Sequence, residues 1–415
     1  MNFAPEVQAK YDRMNLDESK VVPYTLPSPL VGADGKIVKN AVEWQCRQRP
    51  YLLELFSEHM YGYLPPRPDH LSFEMLSFDP AAFNGLATRR EVAIHCRMNN
   101  GREHTMVLLL YIPNHERKPV PAFFGLNFQS NAACTPESDI RLSALPRYNG
   151  DNSIYVDTRA TADNRGAQAY RWQFKTVLKR GYATGTMYYF DAFPDFPDGF
   201  ADSIYRLFFR KEDWDAPKCN YSAIGAWAWG IMRAVDYLES VPEIDCRKII
   251  VHGHSRLGKT ALWAGACDPR IAMAVSNCSG CGGAKLSRRN FGESLEWLLH
   301  WRPYWFARKW QEYIGEEHRL PFDQHSLIAL MAPRPVYIDS ATEDGYADPQ
   351  GEFASAVAAG EVYRLFGSNG LGSSVMPAAD QLVGDDIGYH IRTGKHDMTE
   401  FDWKAIMDFA DCKIR

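Results

Sequence analysis

The residues most suited to chemistry lie in one stretch, Lys248 to Lys259, which reads KIIVHGHSRLGK. Ile249, Ile250 and Val251 suit a buried strand, and Lys259 to Ala266 (KTALWAGA) is apolar and rich in helix formers. Between them stands Gly253-His254-Ser255-Arg256-Leu257-Gly258. A strand, a tight glycine-flanked turn with a central serine, and a helix describe a nucleophile elbow. Such a turn lifts the serine hydroxyl above a sheet edge and sets a helix N-terminus beneath developing negative charge. The spacing departs from G-x-S-x-G, because Gly258 comes one residue late. An ordinary strand-to-helix turn with a capping serine competes with the elbow on this stretch alone.

A serine nucleophile needs a base and an acid later in the chain, in the order serine, acid, histidine. His396, in IGYHIRTGKHDMTEFDW, fits a loop after a last strand. His390 competes from inside that strand, and His254 competes from beside the serine, where it is expected to point away from the reacting face. The acid is expected in ATEDGYADPQGE, which offers Glu343, Asp344, Asp348 and Glu352. Asp344 is best placed, a few residues beyond a strand. Asp348 before Pro349 suits a turn, where an Asp bonds its own backbone. Arg256 and Lys259 are cations at a helix start, where they oppose the helix dipole. Their position suits an anion or a developing oxyanion better than helix stability. Arg256 offers a backbone N–H and a guanidinium for such an oxyanion, and Lys259 sits one turn on, within reach of a substrate hydroxyl or carboxyl. Gly125-Leu126-Asn127-Phe128 ends an earlier strand and is a candidate for a second oxyanion N–H.

These residues need a scaffold. The chain has 415 residues, 46% hydrophobic and 13% aromatic, enough for a large core. The net charge of −5 is spread along the chain. No basic block suggests nucleic acid, and no polybasic or long apolar run suggests a membrane. Nine cysteines occur. Only Cys278 and Cys281 form C-x-x-C, without the second pair of a zinc site, and most of the nine are expected to be buried.

Residues 1–40 read as an extended arm. Residues 41–62 carry a helical apolar pattern, with Pro50 as its expected first turn. A hairpin spans 89–112 around Asn99-Asn100-Gly101, and Pro119 to Phe128 is a buried third strand. Strands at 183–190, 248–253, 271–277, 335–340 and 387–392 then alternate with helices at 168–180, 224–238, after the serine, 353–366 and 400–412. Antiparallel strands followed by strand–helix repeats predict an α/β three-layer sandwich with a mixed, mostly parallel sheet. Residues 41–415 are expected to form a single domain with insertions around 191–222 and 286–326. Both insertions follow strands, where α/β crevices form.

With SGCGGAKLSRRNFGE (279–293), EDGYADPQGEF (343–353), RGYATGTMYYFD (180–191), AIGAWAWGIMRAVDYLE (223–239) and GKHDMTEFDW (394–403), the G-H-S-R-x-G-K motif resembles the bacterial branch of the glucuronoyl esterases, carbohydrate esterase family fifteen. The resemblance runs from about residue 40 to the C-terminus. It implies an α/β-hydrolase fold and hydrolysis of 4-O-methyl-D-glucuronoyl esters, which join glucuronoxylan to lignin alcohols. It implies Ser255 as nucleophile, His396 as base, Arg256 as oxyanion support, Lys259 as a sugar ligand and Glu293 facing a sugar hydroxyl. Two departures matter. Many members carry a Glu as acid just before the SG-x-GG segment, where this chain has Cys278. The acid role then falls to Asp344, with Glu343 as the fallback. An aromatic that is usually Trp in that loop is here Tyr346, expected to stack on sugar. Trp305 and Phe190 are further candidates for a sugar platform.

No cofactor or metal is expected, since serine chemistry needs none. The expected partner is a glucuronoxylan or lignin–carbohydrate ester, and the expected compartment is secreted or periplasmic with a removed leader, the cytoplasm being the alternative. The competing functions are an acetyl-xylan or general carboxylesterase and an inactive carbohydrate-binding homologue.

Overall fold

The computed structural model describes residues 13–148, 155–156, 158–159, 162–216 and 219–415. Its centre is a ten-stranded sheet. The strands are β1 (His70–Ala81), β2 (Ala87–Arg97), β3 (Glu103–Pro113), β4 (Val120–Asn127), β5 (Ala183–Tyr188), β6 (Ile244–His254), β7 (Ile271–Asn277), β8 (Val336–Ala341), β9 (Leu382–Gly384) and β10 (Ile387–Arg392). Their spatial order is β1-β2-β3-β5-β4-β6-β7-β8-β10-β9. The first three strands form an antiparallel meander, and β5, β4, β6, β7, β8 and β10 run parallel. This is the mixed, mostly parallel sheet of an α/β-hydrolase.

The parallel strands are buried on both faces. Every residue of β4, β5, β8 and β10 is buried, which explains why they read as near-continuous apolar runs. Helix α1 (Ala223–Glu239) is apolar all round for the same reason. All but Met232 and Glu239 of it is buried, and the Ser222 hydroxyl accepts from Gly225 N–H to cap it. Helix α2 (Arg256–Cys267) follows the serine, and α3 (Leu295–Trp301), α4 (Pro349–Tyr363) and α5 (Glu400–Lys413) complete the elements used below.

Three expectations change. The 41–62 helix starts at Ala41, where the Asn40 side chain caps Glu43 N–H. Pro50 is in the first turn of the α-helical segment Arg49–Phe56, as expected, but a short α turn and a π turn precede that segment. A wider π turn over Trp44–Gln48 brings Arg49 N–H to the Trp44 carbonyl and accommodates the ring. Strand β1 was not anticipated. It is an edge strand with only part-buried or exposed residues, so it shows little hydrophobic contrast. Of the nine cysteines, all free, four are buried and three exposed, so burial is not their common state.

Asn15 and Glu18, ahead of Ala41, lie against the 286–326 segment. Asn15 donates to the Asn290 carbonyl, and Glu18 pairs with Arg289. No helix among the described residues is long and apolar enough to cross a membrane.

Candidate active site

Strand β6 passes into α2 with only Ser255 between them. Ser255 has φ 57° and ψ −127°, a strained conformation for a side-chain-bearing residue. Its N–H bonds the Asn277 carbonyl at the end of β7, at 2.8 Å. The turn is so tight that a Cβ on Gly253 would lie 2.0 Å from the Leu257 carbonyl oxygen. The late glycine has its own reason. A Cβ on Gly258 would meet the Gly253 carbonyl oxygen at 3.0 Å and the Ser279 Cβ at 3.1 Å. Gly258 therefore serves the approach of α2 to β6 and to the turn after β7.

Ser255 opens onto a cavity of about 240 Å³ that also receives Arg256, Lys259, Glu293, Trp305, Tyr346 and His396. His396 follows β10, and its Nδ1 meets Asp344 Oδ2 at 2.6 Å. Asp344 follows β8 and is buried, whereas the His396 side chain is 21% exposed. The other three acids of that loop go elsewhere. Glu343 is exposed. Asp348 caps α4 through Gly351 N–H and pairs with Arg289. Glu352 lies buried behind the turn after β7, accepting from Gly280 N–H and from the Ser279 and Ser340 hydroxyls. Burial pushes the Glu352 carboxyl up to about 8.

Arg256 begins α2. Its guanidinium carbon stands 4.8 Å from the Trp305 ring centre and 5.3 Å from that of Phe128. Its Nη1 bonds Asp195 Oδ2 at 2.9 Å. Asp195 also accepts from Trp305 Nε1 at 2.6 Å, the Tyr304 hydroxyl at 2.8 Å and the Tyr189 hydroxyl at 3.0 Å. Burial alone would raise the Asp195 pKa, but Arg256, Arg302 and these donors hold it below the usual carboxylate range. Lys259, one turn further, is buried. Its Nζ donates to the carbonyls of Ser279 at 2.5 Å and Cys281 at 2.7 Å, and lies 3.6 Å from Glu293 Oε2. These partners offset its unfavourable place near the helix start. The Tyr346 hydroxyl donates to Glu293 Oε1, joining the two loops.

Several sequence expectations are corrected. His254 does not point away from the reacting face. Its ring centre is 4.5 Å from that of His396, and it lines the same cavity. Burial pushes its pKa well below the usual histidine range, so it stays neutral beside His396. His390, as its place inside the strand implies, is wholly buried, bonding Asp402 and the Tyr337 hydroxyl. Phe190 is no platform, because it is fully buried and stacks on Tyr188. Trp305 reaches the cavity, but its N–H is bonded to Asp195 and its ring lies against Arg256. Trp297, Trp301, Arg302 and Arg171 also line the cavity. The cluster of tryptophans in 286–326 was the only sequence signal for Trp297, Trp301 and Arg302, Arg171 had none, and Asp195 was hinted at only by acids among aromatics in DAFPDFPDGF.

Asp195→Asn should keep the shape of this cluster while removing the charge that aims Arg256. The expected result is a fall in kcat of about tenfold to a hundredfold with KM little changed, measured by steady-state kinetics.

A strained serine between strand and helix, on a mixed sheet with a histidine–carboxylate pair at its edge, defines the α/β-hydrolase class. The comparisons narrow it. A family profile described as "Glucuronyl esterase, fungi" matches residues 205–367. The carbohydrate esterase MZ0003, from an unknown prokaryotic organism, is 42% identical over 98% of this chain and 94% of its own length. The solved glucuronoyl esterase from Solibacter usitatus superposes with a TM-score of 0.89 at 39% identity, over 96% of this chain and all of that one. The 4-O-methyl-glucuronoyl methylesterase 1 of Phanerochaete chrysosporium is 36% identical over 82% of this chain and 62% of its own. The chain belongs to the glucuronoyl esterases, carbohydrate esterase family fifteen.

Proposed function

We propose that the protein hydrolyses esters of 4-O-methyl-D-glucuronic acid, including those that link glucuronoxylan to lignin alcohols, through an acyl-enzyme on Ser255. The observation that carries this reading is the convergence on one cavity of strained Ser255, Asp344-bonded His396 and the Lys259–Glu293 pair.

His396 accepts the Ser255 proton as the oxygen attacks the uronoyl carbonyl. Asp344 holds the Nδ1 proton, so Nε2 is the free base, and it stabilises the imidazolium that forms. The oxyanion is met by the Arg256 backbone N–H at the start of α2 and by the guanidinium that Asp195 holds. His396 then returns the proton to the leaving alcohol, and water, activated by the same imidazole, releases the acid. The carbonyls of Ser279 and Cys281 fix the Lys259 ammonium, which with Glu293 and Tyr346 suits a set of sugar hydroxyls. Neutral His254 beneath His396 adds no competing charge. The substrate is a wall polymer, so the protein acts outside the cytoplasm.

The test is a substrate panel. Methyl and benzyl esters of glucuronic acid should be hydrolysed and acetylated xylan poorly or not at all. Turnover of acetyl esters with none of the glucuronate esters would make the protein an esterase of other specificity.

A further inference from the structure

Cys278 stands at the end of β7, with φ 46°, and lines the same cavity as Ser255 and His396. It has no part in the ester chemistry above. Its Sγ, a carboxylate oxygen of Asp344 and a ring nitrogen of His396 all lie within 4.8 Å of one another. A thiol and an imidazole that line the cavity, with a buried carboxylate bonded to the imidazole, are a donor set suited to zinc. Zinc bond lengths of about 2.0–2.3 Å imply donor-to-donor edges of roughly 3.3–3.6 Å in a tetrahedron. The three donors need shift by only about an ångström to match, and part-exposed His396 can supply the movement. Cys278 and His396 both line the cavity, so a fourth ligand can come from it.

The cavity's cations do not forbid this. Arg171, Arg256 and Lys259 stand against the carboxylates of Asp397, Asp195 and Glu293, and the fourth cation of the lining, Arg302, also acts on Asp195. A second cluster, Asp339, His390 and Asp402, is wholly buried. It has no thiol, and Asp402 already accepts from His390, Arg392 and Thr399.

We infer that Cys278, Asp344 and His396 form an inhibitory site for a soft divalent cation of the zinc type. The cation takes the place of the proton between His396 Nδ1 and Asp344 Oδ2. That proton moves to Nε2, and the Cys278 thiol releases its own proton to solvent as the Sγ–metal bond forms. Nε2 then carries hydrogen and no longer accepts the Ser255 proton. The inhibition rests on His396 being the base of the proposed esterase reaction; the binding does not.

The experiment uses the full chain and zinc chloride in a buffer free of chelators. Hydrolysis of benzyl glucuronate should fall at least tenfold, recover with EDTA, and be untouched by the same concentration of magnesium, a hard cation with no use for a thiol. In Cys278→Ala, half-inhibition relative to its own zinc-free rate should need at least ten times more zinc. Cobalt chloride supplies a readout free of activity. The wild type should show a thiolate-to-cobalt charge-transfer band in the near ultraviolet. Cys278→Ala should lose it, and His396→Ala should change the visible cobalt bands. Equal zinc sensitivity in wild type and Cys278→Ala would overturn the inference. So would absence of the cobalt band in the wild type, or its survival in Cys278→Ala, which would assign it to an exposed thiol such as Cys46, Cys246 or Cys412. Should Cys278→Ala fail to fold, Cys278→Ser keeps the volume and carries the same comparison. Were the esterase reading wrong, the cobalt spectra would still decide the binding.

Discussion

Ser255→Ala is expected to lower kcat on methyl 4-O-methyl-glucuronate by about six orders of magnitude, by analogy with other serine triads. The substitution removes the only atom that can form the acyl-enzyme and leaves the turn unchanged, since alanine fits wherever that serine fits. Residual turnover should resemble direct water attack assisted by Arg256 and the α2 N-terminus. Unfolding temperature measured alongside kinetics separates chemistry from stability. The variant should melt within a few degrees of wild type and still bind glucuronic acid. A rate within tenfold of wild type would remove Ser255 from the mechanism.

Asp344→Asn is expected to lower kcat by about two to four orders of magnitude. The carboxylate meets His396 Nδ1 at 2.6 Å, so it fixes the tautomer with a free Nε2. An asparagine can present its NH₂ to Nδ1, which favours the opposite tautomer and leaves no base at the serine. Burial sharpens the effect, because Asp344 is 3% exposed and water cannot replace its charge. Glu343→Gln is the control, and its side chain is exposed, so it should run near the wild-type rate. The reverse pattern would move the acid to Glu343. A near-wild-type rate in both would move it to neither, and would turn attention to the Cys278 position.

The elbow was legible because its constraints are local. Gly253 and Gly258 are forced by contacts within a few residues of Ser255 and with the turn after β7, and an apolar strand and helix flank them. The parallel sheet was legible because strands buried on both faces read as apolar runs. In the ATEDGYADPQGE loop local pattern marked Asp348 as a turn residue, through the proline after it, and put Asp344 first, but it could not place Glu343 and Glu352, whose fates depend on where β10 and the turn after β7 stand. Asp195 was hidden for the same reason. Its importance lies in Arg256, 61 residues away, and in Tyr304 and Trp305 beyond 100 residues. His254 was misjudged because alternation along β6 says which face a side chain takes but not that a loop from β10 returns over it. Edge strand β1 and the π turn before Pro50 show the remaining failure. Neither has a contrast of burial or a local motif strong enough to announce it.

Presentation of a glucuronoyl ester to Ser255 by Lys259, Glu293 and Arg256 is the step on which the proposed mechanism turns. It is tested most directly by a crystal structure of Ser255→Ala with methyl 4-O-methyl-glucuronate bound. The ester carbonyl carbon should lie within about 3.5 Å of the residue 255 side chain, with its oxygen towards the Arg256 N–H and sugar hydroxyls on Lys259 and Glu293. A sugar bound with its ester turned away from residue 255, or seated outside this cavity, would contradict it.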